Sequence, residues 1–346
     1  MAWSADIASV LETGSATFGD LESLLGRLNH AGYVIPMARH FLNRLRLRIE
    51  HRRHKRQRLT LNREELADLQ LWLHFLSSAH RGISFNQMTI RKPTRLGFSD
   101  SCPFGLGGFS HTGRAWRLLI PPTCAFYGES EINNFLEFLA MVITIWLIIL
   151  ECEAEGSSEA CILALGDNTS GIGWLFRSGR IKPHSVYYTA VQLVARKLAM
   201  LIMESSHCLA SQHLKGSKNT VSDYLSYTGD TREAPHPLAP DNPSDAELTR
   251  RFHRYLPQLI PQHFDISPLP NELLSFAILA LRTAESSWIR VKKSPTNPGT
   301  ASGATGSASA PKPASLTCSS VTYPNKNKNS SFDPSLASIA LLTGIS

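Results

Sequence analysis

Four acids fall at or near the ends of apolar segments, where a solvated carboxylate has little reason to be. Asp100 follows Leu96-Gly97-Phe98, Glu137 lies inside FLEFLAMVITIWLIIL, Asp167 closes the run CILALG, and Asp223 comes soon after HLKGSKN. Carboxylates that converge on one point bind hard divalent ions such as Mg²⁺ through oxygen, and a pair of such ions suits phosphodiester hydrolysis by clamping attacking and leaving oxygens. Taken singly, Asp100 also suits a turn, Asp167 a helix N-cap and Asp223 a helix start. Glu137 has no such alternative. It is the one charge in residues 135–150, and a lone charge among apolar side chains is costly unless it meets a metal or a partner.

These acids need elements to position them. From about residue 94 the apolar pattern shortens to strand-like runs at Leu96–Ser101, Gly107–Ser110 and Ala115–Ile120, separated by Gly, Pro and His-Thr-Gly turn signals. Three short consecutive strands predict an antiparallel meander. An apolar helix follows over about 131–151, then a strand at Ala160–Leu165, a short helix at Thr169–Arg177, a longer one at Val186–Ser205 and a strand at His207–His213. A terminal helix begins near Asn219. The order βββ-α-β-α-α-β predicts a mixed five-stranded α/β sheet with helices on its faces.

Upstream, residues 17–50 carry apolar positions at helical spacing, with breaks near Gly32 and Pro36. Nine Lys or Arg crowd residues 39–58, among them Arg44, Arg48, Arg52, Arg53, Lys55 and Arg56, while Leu42, Leu45 and Ile49 give the stretch an apolar face. Such a basic helix suits phosphates, although a charge run also serves as a plain solvated face. Asn62, with Glu64 and Glu65 behind it, caps a further helix through Leu76. The division read from this pattern is a basic helical segment over 1–90, an α/β domain over 94–228, a Pro-rich linker with short helices over 229–291, and a low-complexity, largely disordered tail over 292–346.

The formal charge of +7, from 35 Lys and Arg against 28 Asp and Glu, favours polyanionic partners. Six cysteines show no CxxC spacing and read as reduced thiols of an intracellular protein, cytoplasmic or nuclear; no secretory signal is seen at the start. The 16 residues of the apolar run are fewer than the roughly 20 a spanning helix needs, so it reads as a buried core helix and no membrane partner is expected.

The acid-bearing segments resemble, in order, the motifs of ribonuclease H domains from retroelement polyproteins. LGFSDSCPFGLGGFS is similar to the first hairpin, INNFLEFLA to the Leu-Glu helix, LALGDNTSGIGWL to the Asp-Asn strand end, and QHLKGSKNTVSDYLS to the closing His-x-x-Gly-x-x-Asn-x-x-x-Asp-x-Leu-Ser motif. The likeness covers about 94–228. LESLLGRLNHAGYVIPMARHFLNRL resembles the segment that joins the polymerase thumb to ribonuclease H in gypsy-like and DIRS-like elements, and residues 246–285 resemble a spacer that precedes a recombinase. Two positions depart from the pattern: Ser222 stands for the usual Ala and Tyr227 for the usual Arg.

The resemblance implies a ribonuclease H-like fold that cuts the RNA strand of an RNA–DNA hybrid with two Mg²⁺ or Mn²⁺ ions. Asp100 would bridge both ions, Glu137 and Asp167 would complete one site, and Asp223 would hold the other. It implies that His213 at the rim assists proton transfer or product departure; an ordinary strand-end histidine is the other reading. Asn168, Thr169 and Lys215 would touch nucleic acid. The polymerase domain of a longer polyprotein is the implied neighbour, since no Tyr-x-Asp-Asp polymerase motif occurs in this chain. A domain of the same fold that binds nucleic acid or its neighbours without cutting is the alternative, against which the presence of all four acids weighs.

Overall fold

The computed structural model describes residues 2–35, 37–50, 54–89, 91–177, 181, 185–227 and 264–293. Met1–Val291 forms one compact unit, and Lys292–Ser346 is a separate one that lies almost wholly outside the described residues.

At the centre is a mixed sheet. Strands β3 (Arg95–Cys102), β4 (Gly105–Ser110) and β5 (Arg114–Leu119) form the antiparallel meander. Strands β6 (Cys161–Gly166) and β7 (Cys208–His213) continue it in parallel from β3. On the far side β8 (Asp265–Ile266) pairs in parallel with β5, so the sheet has six strands in the order β7-β6-β3-β4-β5-β8. The sixth strand corrects the five-strand expectation. Two residues carry no readable alternation, and this strand exists only through pairing: Asp265 N–H donates to the Gly113 carbonyl at 2.8 Å and Ser267 N–H to that of Ala115 at 2.9 Å.

The apolar run becomes α6 (Asn133–Ala154), which lies against β3 and β4. It is long and apolar enough to cross a membrane, yet 94% of its most apolar window is buried within the fold. Gly97 makes the contact close: a Cβ there would stand 2.8 Å from Ile148 Cδ1 and 2.9 Å from Thr144 Cγ2. The hydroxyl of Thr144 is satisfied inside the helix face, donating to the Ala140 carbonyl and accepting from Trp116 Nε1, both at 3.0 Å. On the other face of the sheet α9 (Thr220–Tyr227) packs on β3 and β4. Helices α7 (Thr169–Arg177) and α8 (Tyr188–Glu204) complete the α6 layer.

The N-terminal helices are α1 (Ala2–Thr13), α2 (Phe18–Ala31), α3 (Asn43–Ile49), α4 (Arg63–His80) and α5 (Phe85–Met88); a small hairpin pairs β1 (Ser15–Thr17) with β2 (Arg58–Thr60). Asn62 caps α4 as expected, and Glu65 reaches back to the Asn62 N–H to complete a capping box. The basic stretch is not one helix: α3 ends at Ile49 and the chain turns to enter β2 at Arg58. Downstream, α10 (Asn271–Lys293) is one 23-residue helix at the end of the stretch read as a linker with short helices, of which 229–263 lie outside the described residues. It joins the core through Phe276, whose ring lies 5.7 Å from that of Trp146. All five described cysteines are free thiols.

Candidate metal centre

Asp100, Glu137 and Asp167 come from three elements. Asp100 sits near the C-terminal end of β3, Asp167 directly follows β6, and Glu137 projects from the second turn of α6. Parallel pairing of β3 with β6 brings the first two strand ends side by side. Their carboxylate oxygens and that of Glu137 lie within 4.8 Å of one another, and this buried acidic group could hold a metal ion.

Three carboxylates this close cannot all be ionised without strong repulsion, and burial adds to the cost. Burial first, then the charges of Glu137, Asp167 and Asp223, holds Asp100 well above the ordinary range. Burial and the charge of Asp167 push Glu137 up to about 8, partly opposed by Ser101. Burial raises Asp167 as well, opposed first by its hydrogen bond with Asp100 and last by His213. The donor set fits a hard divalent cation in one further respect. Glu137 is 2% exposed and its Oε1 accepts the Ser101 N–H at 3.2 Å, whereas Oε2 has no N–H or hydroxyl donor among the described residues. A proton on Glu137 itself or on the neighbouring Asp100 satisfies that oxygen, and so would a cation.

The expected fourth acid stands at the edge. Asp223 lies outside the 4.8 Å group and is exposed on α9, though its charge acts on Asp100 and that of Asp167 acts on it. The expected convergence of four carboxylates is therefore a cluster of three with Asp223 facing it. Its helix is tied to the cluster by Ser226, whose Oγ lies 3.2 Å from Asp100 Oδ2 and 2.9 Å from the Asp223 carbonyl. His213 ends β7, level with Gly166 on β6, so its exposed imidazole flanks Asp167.

Three residues of the closing motif, Gly216, Asn219 and Ser226, carry no assigned role in the sequence reading and prove to position the site. Gly216 lets the loop after β7 close on the site, since a Cβ there would stand 2.9 Å from Asp167 Oδ2. The buried Asn219 donates from Nδ2 to the Ser99 carbonyl at 2.9 Å and ties the same loop to β3. Ser226, the last residue of that motif, lies three residues after Asp223 on the same helix face.

The nucleic-acid positions divide. Arg44 is turned inward as a fork on the buried Asp68, with Nε 2.6 Å from Oδ2 and Nη2 2.7 Å from Oδ1, and also donates to Tyr188 Oη and Gln192 Oε1. Its place in a phosphate-binding face is corrected: Asp68, 1% exposed, requires a cation that strand and helix spacing could not foresee. Arg48 donates to the Thr60 carbonyl at 2.6 Å. Lys55 and Arg56 are exposed, while Arg52 and Arg53 lie outside the described residues. Asn168 is spent locally, accepting the Gly171 N–H and donating to Asn134 Oδ1, both at 2.9 Å, so it caps α7 and braces α6. Thr169 and Lys215 are exposed, Thr169 two residues after Asp167 and Lys215 next to Gly216, whose position a Cβ would bring 2.9 Å from Asp167 Oδ2.

Set against family models, curated proteins and solved structures, the chain has no match.

Proposed function

We propose that this chain is a metal-dependent endonuclease that hydrolyses the RNA strand of RNA–DNA hybrids, with a ribonuclease H-like arrangement of its sheet. The observation that carries the reading is the buried cluster of Asp100, Glu137 and Asp167 within 4.8 Å, at the adjoining ends of β3 and β6. A folding chain gains nothing by packing three acids together unless a cation offsets their repulsion.

Asp100, at the centre of the group, and its neighbours Glu137 and Asp167 would hold Mg²⁺ or Mn²⁺, and Asp223 would serve a second ion from the rim. Bound divalent ions supply a water of lowered pKa and stabilise charge on the departing oxygen. The protein's own part is to fix these oxygens through Ser101, Ser226 and the Gly216 loop. His213, exposed beside Asp167, would hold or release a proton as product departs. Hydrolysis adds water across the P–O3′ bond and leaves a 3′-OH and a 5′-phosphate.

RNA selection rests on 2′-OH contacts across a wide, shallow minor groove, for which the β3–β4 hairpin and exposed Thr169 lie nearest the acids. Lys55, Arg56 and Lys215 are the phosphate contacts in this reading. The setting it implies is intracellular, as part of a polyprotein that also carries a polymerase domain. The test is cleavage of a labelled hybrid with Mg²⁺ or Mn²⁺ by the wild type and by Asp167→Asn, with single-stranded RNA as control. Hybrid-only cutting that disappears in the variant supports the reading; a folded wild type that binds hybrid and never cuts it makes the chain a binding module instead.

A further inference from the structure

Beside the acid cluster lies a patch of exposed rings that the metal site does not use. Phe104, in the tight β3–β4 turn, meets Tyr127 edge-on with ring centroids 5.1 Å apart and Tyr227 edge-on at 6.2 Å. Phe104 and Tyr127 are each 38% exposed and Tyr227 is 64% exposed. Leu119, 40% exposed, extends the patch at the end of β5, opposite Gly105 in the register. Large apolar side chains grouped on one surface mark a binding site more often than singly scattered ones do.

The patch is continuous with the metal centre. Tyr227 directly follows Ser226, whose hydroxyl touches Asp100, and the Ser226 carbonyl accepts from Cys102 Sγ, two residues before Phe104. Rings fixed in mutual edge-on contact keep a π-face turned outward, the form in which an aromatic side chain accepts a stacked base. Bases inside a duplex already stack on each other and cannot lie on such a platform. An unpaired base has a free face and the reach to do so.

We propose that Phe104, Tyr127 and Tyr227 form a stacking site for unpaired nucleobases next to the scissile phosphate. The preferred substrate is then a hybrid with a single-stranded flank or a junction. This inference rests on the nuclease reading for its position, although the stacking itself does not depend on cutting.

The experiment uses the full chain and compares a blunt RNA–DNA hybrid with hybrids carrying a short unpaired flank on either strand. Binding is read by fluorescence anisotropy, and stacking by quenching of 2-aminopurine in the flank. Tyr127→Leu and Tyr227→Leu, both outside the β3–β4 hairpin, keep apolar volume and so protect the fold. The expected result is a flank that tightens wild-type binding about tenfold, as one stacked base does, with quenching; both effects are lost in the Leu variants, while blunt-hybrid cleavage persists. Equal affinity for blunt and flanked hybrids, or a flank effect that survives both substitutions, overturns the proposal. A protein dimer that the same substitutions dissolve would give the patch to a second copy and overturn it too. If no hybrid is cut but the flank is still bound through the rings, the nuclease reading fails and the stacking site stands.

Discussion

The Ser226 hydroxyl lies 3.2 Å from Asp100 Oδ2, and this contact links the last helix of the α/β layer to the end of the central strand. Because the same hydroxyl also reaches the Asp223 carbonyl, one side chain sets how Asp223 faces the buried acids. Ser226→Ala is expected to cost about 1 kcal/mol of stability, the net worth of an ordinary hydrogen bond. Cleavage should fall further than stability does, and supplying more Mg²⁺ should recover part of it. Titration of activity against metal concentration, beside a urea melt, separates the two effects.

Metal-free stability should decline as pH rises. Glu137, pushed up to about 8 from 4.5, and Asp100, held well above its usual range, both keep protons in the folded state that they lose when unfolded. The stability they contribute is complete below the unfolded values and disappears as pH climbs toward 8. Thermal melts with chelator should therefore drop between pH 5 and 8. Added Mn²⁺ or Mg²⁺ should restore more stability at pH 8 than at pH 5, because protons compete for the same oxygens. A flat chelator profile would contradict this.

Glu137→Gln should divide activity from stability. Removing a carboxylate from the cluster relieves repulsion, so the metal-free variant should melt higher than wild type at pH 8. Cleavage should fall at least about a hundredfold, as it does when one preorganised electrostatic group is removed from a reaction centre. A variant that cuts normally would exclude Glu137 from the site.

Gly107→Ala tests the placement of α9. A Cβ on Gly107 would come 2.5 Å from Leu225 Cβ and 2.7 Å from Ser226 N, so the helix must shift. Overpacking of this kind costs about 1–3 kcal/mol. Gly26, on the exposed side of α2 with nothing near its Cβ position, is the control: Gly26→Ala should leave cleavage unchanged while Gly107→Ala impairs it.

The basic stretch should split into structural and phosphate-facing residues. Arg44→Ala removes the two-pronged partner of the buried Asp68, which keeps Arg196 at 3.0 Å, and should destabilise the fold by less than the roughly 3–5 kcal/mol of a wholly uncompensated buried charge, seen in a denaturant melt. Lys55→Ala and Arg56→Ala should leave the melt alone. Each should lower the slope of log affinity against log salt by about 1 for hybrid binding.

Much of this molecule is local and was legible in its residues. The meander, the apolar helix over residues 133–154, the Asn62 cap and the strands closing at Asp167 and His213 follow from apolar period and turn chemistry, which act over a few residues. The three acids stood out because apolar neighbours made each charge costly where it was. What folding alone decided depends on partners far apart in the chain. Strand β8 needs Gly113 and Ala115 before two residues can count as a strand. Arg44 turns inward because Asp68 and Gln192 wait there, although its own neighbours are basic. Asp223 stands just outside the cluster because α9 is seated by Gly107 and Ser226, and a helix's seating is set by close packing across the sheet, which no run of residues encodes on its own.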